Sequence, residues 1–215
     1  MPELSFRVEG ASAVEYAASP TIALDVAVAN GQKGETIHSA ILQCQVRIEP
    51  SGRRYAAREQ ENLTPLFGGP DRYRDTLKSF LWTHVAFTLP TFVDEVEITL
   101  HLPCTYDMSL AAPKYLHGLL DGDVPLLLLY SGTVFYRGAT AELQVAPVAW
   151  STESAYRLPV SVHRQLIDHY YPNSAVVSLG KDVFDRLQRY RATHGLSTWD
   201  EVLERLLGRG SEGGS

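Results

Sequence analysis

A chain of 215 residues with 45% apolar and 20% charged content holds enough hydrophobic material for one sizeable core plus a smaller appendage, which excludes a disordered protein. Its formal net charge of -6 excludes a general attraction to phosphate backbones or anionic lipid. Two cysteines are too few for a disulfide-stapled secreted fold, the start MPELSFRVEG lacks a signal peptide's basic and apolar regions, and the longest apolar run, VPLLLLY at 124 to 130, is too short to span a bilayer, so a cytoplasmic protein is expected.

From the start to about Trp150 the pattern is mostly period two. Ile22, Leu24, Val26 and Val28 alternate with Ala23, Asp25 and Ala27, and NGQKG at 30 to 34 supplies turn chemistry. Leu42, Cys44, Val46 and Ile48 share the next inward face, and Pro50 with Gly52 ends that run. YAAREQENLTPLFG at 55 to 68 is rich in helix formers, and DRYRDTLKSFLW at 71 to 82 places Tyr73, Leu77 and Phe80 at helical spacing. These predict a helical insertion near 55 to 82, over one end of the sheets.

Val96, Ile98, Leu100 and Leu102 repeat the strand alternation up to Pro103. AAPKYLHGLLDGD at 111 to 123 suits a short helix cut by Gly118 and Gly122. PLLLLYSGTVFY at 125 to 136 reads as a strand covered on both faces, and AELQVAPVAW at 141 to 150 as one more alternating strand. The fold class this predicts is α+β: an antiparallel β-sandwich over 1 to 150 with helical insertions.

After Trp150 the texture changes. STESAY at 151 to 156 is polar and turn-prone, and LPVSVHRQLIDHYYP reads as a helix of about three turns that opens a helical region over 157 to 208. Ala175 to Leu179 suits a short strand and Lys181 to His194 a helix with the stripe Val183, Phe184, Leu187 and Tyr190, ended by Gly195. Thr198 and Glu201 form a capping box for a second helix that buries Val202, Leu203, Leu206 and Leu207. Residues 209 to 215, GRGSEGGS with its preceding Gly208, read as a flexible tail.

This strand, helix, glycine, helix order resembles the ribbon-helix-helix unit of small repressors and antitoxins over about 35 residues. The resemblance implies that the strand pairs with its copy from a second chain, giving a homodimer or higher homo-oligomer. In that family the ribbon reads the major groove with polar side chains. Here Ala175, Val176, Val177, Ser178 and Leu179 offer base edges almost nothing, and basic and acidic side chains balance from 174 to 215. Protein contact is therefore favoured over nucleic acid, either within the chain or between copies. The expected interface comprises Ala175, Val176, Val177, Leu179, Phe184, Leu187, Trp199, Leu203 and Leu206.

CQVRIEP at 44 to 50, FLWTHV at 80 to 85, PCTYD at 103 to 107, VPLLLLYSGTVFY at 124 to 136 and YPNSAVVSL at 171 to 179 resemble an uncharacterised actinobacterial family that carries only a domain-of-unknown-function label. Its members are often encoded beside nickel-iron hydrogenase genes, so the resemblance implies an accessory or assembly role with hydrogenase subunits as partners. It supplies no catalytic residue.

Candidate chemistry is sparse. His101, Cys104 and Asp107 form H-x-x-C-x-x-D without a second ligand motif, so a metal site on Cys44, Cys104 and His101 is weaker than a structural reading of the same residues. His163 and His169 fall on opposed helix faces, and His84 and His117 have no ligand at metal spacing, which leaves all four as amphipathic surface histidines. YSGTV lacks the first glycine of a nucleophile elbow, and no P-loop or dinucleotide fingerprint occurs; no cofactor and no enzymatic activity are expected. Arg53, Arg54, Arg58, Arg72, Arg74 and Lys78 form the one basic patch, suited to an acidic protein partner or a solvated helix face. Trp82, Trp150 and Trp199 read as core or seam anchors. The function expected is a non-enzymatic accessory or scaffold protein; the alternatives are a DNA-binding autoregulator using the tail and a metal or sulfur carrier using the two cysteines.

Overall fold

The alternating runs build two antiparallel sheets, seen in a computed structural model that describes residues 2–32, 34–138 and 142–212. The strands are β1 (Leu4–Ala13), β2 (Thr21–Asn30), β3 (Thr36–Ile48), β4 (Phe80–Leu89), β5 (Glu95–Pro103), β6 (Asp123–Arg137), β7 (Leu143–Pro147) and β8 (Glu153–Pro159). The helices are α1 (Ala57–Phe67), α2 (Tyr73–Thr76), α3 (Ala111–Gly118), α4 (Val160–Tyr170), α5 (Lys181–Thr193) and α6 (Trp199–Glu212). One sheet has the order β1-β2-β5; the other runs β4-β3-β6, with β8 and then β7 along the free edge of β6. The class is α+β.

The predicted inward rows are the buried ones. Ile22, Leu24, Val26 and Val28 on β2 and Leu42, Cys44, Val46 and Ile48 on β3 join β6 residues Val124, Leu126, Leu128 and Tyr130 in a single core. Both sheets contribute to it: Phe6 of β1 stacks on Tyr130 of β6, ring centroids 3.9 Å apart. At full burial, each such aliphatic side chain stabilises the fold by about 2 kcal/mol. β2 lies between β1 and β5, and Ala23 and Ala27 on its other face are buried too.

Glycine permits one close approach. Gly132 interrupts the inward row of β6 at φ 144°, where a Cβ would stand 2.2 Å from the Ile41 carbonyl oxygen of β3.

Several expectations need correcting. Phe80, Leu81 and Trp82 open β4 rather than ending a helix, because pairing with Ile48 and Arg47 of β3 outweighs their helical spacing; only α2 and the 3-10 turn Pro70–Arg72 before it remain helical there. Residues 153 to 159, read as turn and helix start, form β8, which completes the hydrogen bonding of the β6 edge that β7 leaves open. LSFRVEGASA at 4 to 13, not singled out in the sequence, is β1. The tail expected from 209 is helical to Glu212, and residues 213 to 215 lie outside the described residues, as do Lys33 of the 30-to-34 turn and Ala141.

The chain divides into two compact units, Met1–Val176 and Val177–Ser215. The boundary expected at 150 therefore falls inside the first unit, where β8 pairs with β6 and α4 packs against β1 and β2. Among the described residues, no helix is long and apolar enough to cross a membrane.

Candidate functional site

In the second unit, the capping chemistry is as the sequence predicts. The Glu201 N–H donates to Thr198 Oγ1 at 3.2 Å, and the Ser197 and Thr198 N–H groups donate to Glu201 Oε2 at 2.7 and 3.2 Å. Gly195 adopts φ 63° after α5. Phe184 and Trp199 rings meet at 5.5 Å, and the Arg191 guanidinium lies 4.5 Å from the Trp199 ring. The core between α5 and α6 is thin: Val202 is buried, yet Val183, Phe184, Leu203, Leu206 and Leu207 are exposed.

The strand expected at 175 to 179 has no partner among the described residues. Val176, Val177 and Leu179 are 41%, 66% and 48% exposed, so this segment is not an intramolecular strand packed on its own helices.

The basic patch does not hold together. Arg53 is buried, with its side chain 8% exposed against Glu59 at 4%. Its Nη2 donates to Glu59 Oε1 and Oε2 at 2.8 and 3.0 Å and to the Asp121 carbonyl at 3.1 Å, while Nη1 donates to the Asp123 carbonyl at 3.2 Å. Glu59 also accepts the N–H groups of Ala56 at 3.0 Å and Leu120 at 2.8 Å. Burial pushes the Glu59 carboxyl up, but these N–H groups and Arg53 outweigh it and hold it below its usual value. Arg53 is thus a structural clamp between α1 and the α3–β6 connection. Arg54, Arg58, Arg72, Arg74 and Lys78 are exposed, as a solvated face requires.

The two thiols are buried in the core and free, Cys44 on β3 and Cys104 just after β5. Burial pushes both up to about 12, leaving them protonated and weakly reactive. His101 points outward from β5. Among the described residues, no group of three or more His, Cys, Asp or Glu side chains could hold a metal. Of the tryptophans, Trp82 packs partly on the core and Trp199 forms the α5–α6 seam, but Trp150 is 95% exposed and anchors nothing.

One cleft was not foreseen. In the first unit α1, α3 and α4 border a cavity of about 550 Å³, within the range of small-molecule sites. Arg58 and Arg164 line it with Asp168, His117, Tyr106 and His163. Arg164 is held by donating from Nη2 to the Leu119 and Leu120 carbonyls. Tyr106 is stacked on Tyr171 with centroids 5.0 Å apart.

His163 is not a surface histidine: it is only 5% exposed. Burial, reinforced by the charges of His117 and Arg164, pushes its imidazole down to about 4, so it is neutral at pH 7. Burial, with the charge of Asp168, raises the Tyr106 hydroxyl. A signal for His163 existed, since it shares the buried stripe of α4 with Val160 and Ile167. Nothing local connects α4 to Arg58 or Tyr106.

Fold and site together define a class: an α+β protein of two antiparallel sheets with a cleft of mixed polar and apolar lining among the helices of its first unit, and a helical C-terminal unit. The chain belongs to the Family of unknown function (DUF6084), whose model matches residues 1–214. No curated protein matches it. Among solved structures, it is similar to a beta-glucosidase from Kluyveromyces marxianus, in a selenomethionine-labelled form at 10% identity with TM-score 0.26 and in complex with glucose at 11% identity with TM-score 0.25. Both likenesses cover 73% of this chain and 15% of the other, so the chain spans a small part of those proteins, and likeness at this level carries no argument.

Proposed function

We propose that this is a non-enzymatic accessory protein that acts through protein contacts, and that its C-terminal unit joins a second copy of the chain. The observation that carries this reading is that segment 175 to 179 is exposed and has no strand partner among the described residues, while the two helices that follow it leave Val183, Phe184, Leu203, Leu206 and Leu207 exposed. A two-helix unit this small buries too little to be stable alone, and exposed apolar rows of this kind mark interaction surfaces. Pairing segment 175 to 179 with its copy across a two-fold axis satisfies both backbones and covers both helix pairs, as in the ribbon-helix-helix arrangement the sequence resembles.

The exposed side chains of the segment are apolar apart from Ser178, which favours polypeptide over a base edge. A carrier of metal or sulfur needs an accessible thiol, and the burial of Cys44 and Cys104 argues against that alternative. The family resemblance suggests a nickel-iron hydrogenase component as the further partner, with a cytoplasmic setting, and the two-sheet body, read as a β-sandwich, as the face presented to it.

Sedimentation equilibrium of the full chain tests the dimer. Wild type self-associates at tens of micromolar, whereas Val177→Asp and Leu203→Glu each place an unpaired carboxylate in the interface. That costs about 3 kcal/mol, roughly a hundredfold in dissociation constant. A wild-type chain that stays monomeric at all accessible concentrations overturns the reading.

A further inference from the structure

We infer that the cleft bordered by α1, α3 and α4 is a binding site for a small organic anion, whose acid group pairs with Arg58 and Arg164 and whose uncharged polar group is read by His163 and Tyr106.

Two polar side chains in this cleft are more than nine-tenths buried and lack a hydrogen-bond partner. His163 is 5% and Tyr106 6% exposed, and no described protein group hydrogen-bonds either the imidazole or the hydroxyl. Neither is fully enclosed, for both line the cleft and neither belongs to the sealed, unpaired buried atoms. A buried imidazole left unpaired costs stability unless something at its open side completes its bonding. Elsewhere in this unit the buried hydroxyls of Tyr130 and Tyr115 are paired, with Ser154 and Tyr55, while that of Tyr73 is sealed without a partner. His163 and Tyr106, unlike Tyr73, open onto one cavity large enough for a ligand.

The mouth sets the charge. Arg58 makes no ion pair or hydrogen bond among the described residues, and Arg164 spends one nitrogen on the Leu119 and Leu120 carbonyls, leaving the rest of its guanidinium to the cleft. Against these two cations stands Asp168 alone. An oxyacid, carboxylate or phosphate, satisfies two guanidinium groups in a partly desolvated mouth. Leu116, Leu119 and Ile167 give the floor an apolar part, which suits an organic body over a bare ion. His163 is neutral, so it offers one donor and one acceptor to an uncharged hydroxyl or amide. This inference is independent of the dimer proposed above, because no residue of the second unit enters it.

The test uses the full-length protein with two probes, 4-hydroxybenzoate and inorganic phosphate, followed by the ring signals of His163 in heteronuclear NMR and by calorimetry. The expected result is a saturable shift of the His163 ring signals by 4-hydroxybenzoate. Affinity should fall about tenfold in Arg58→Ala and in His163→Phe. Arg58 is exposed, so its variant folds normally, and far-UV circular dichroism checks the His163 variant. If phosphate alone produces the same shift and loses it in Arg58→Ala, the cleft takes a bare oxyanion and the reading of an organic ligand by His163 and Tyr106 is overturned. If neither probe moves the His163 signals, or if both variants bind as wild type does, the cleft is not an anion site.

Discussion

The Arg53 guanidinium and the Glu59 carboxylate face each other at 2.8 and 3.0 Å with both side chains almost wholly buried. Each charge is compensated by the other and by backbone groups, so the pair works only intact. Glu59→Gln leaves Arg53 buried without a counter-charge and is expected to cost about 3 kcal/mol or more in urea unfolding. Replacing both with apolar residues of similar volume should cost less than the sum of the single changes. The folded carboxyl lies below its ordinary 4.5, so this contribution is full above that pH and is lost as pH falls through the lower folded value. Unfolding midpoints on the acid side should therefore drop less steeply with pH in Glu59→Gln than in wild type.

His163 titrates in a different window. Its folded value near 4 lies below the ordinary 6.5, so protonation favours the unfolded chain. Stability is undiminished above about 6.5 and falls as pH drops from there toward 4. In His163→Phe this slope should vanish, as read from thermal midpoints across that range. A slope equal to that of wild type would mean that the imidazole is not held neutral.

Gly132→Ala places a methyl group 2.2 Å from the Ile41 carbonyl oxygen at a φ that alanine avoids. The β3–β6 pairing has to open to admit it. We expect a loss of about 3 kcal/mol or more, measured by chemical denaturation. Gly208 in α6 has no atom near its Cβ position, so Gly208→Ala gains up to about 1 kcal/mol of helix stability.

Neither thiol should react with a disulfide reagent at pH 8 in the native protein, and both should react in denaturant. Cys44 and Cys104 are each too buried and too weakly acidic to attack. Rapid labelling of either under native conditions would contradict their place in the core.

Legibility in the sequence followed the range of the interactions. Leu42, Cys44, Val46 and Ile48 announce their face because strand alternation is a local property that survives any choice of neighbour. The Thr198 and Glu201 cap was equally plain, being closed within four residues. Phe80 has both helical spacing and strand propensity, and pairing with β3 decides between them. Arg53 reads as part of a basic patch, suited to an acidic partner or a solvated face, because Glu59 six residues on gives no periodic signal and the Asp121 and Asp123 carbonyls that complete its burial lie 68 and 70 residues away.

Hydrophobic period and local capping chemistry thus specified, from the chain alone, two-sheet α+β character, the inward rows, the helices α5 and α6 and the greasy segment before them. Tertiary contact alone decided which charges are buried, that β8 belongs to the body, and that Tyr106, Arg58 and His163 line one cleft. The reason is physical: period and capping act within a few residues. Burial of Arg53, pairing of β8 and convergence on the cleft depend on elements brought together from distant parts of the chain, which local pattern does not encode.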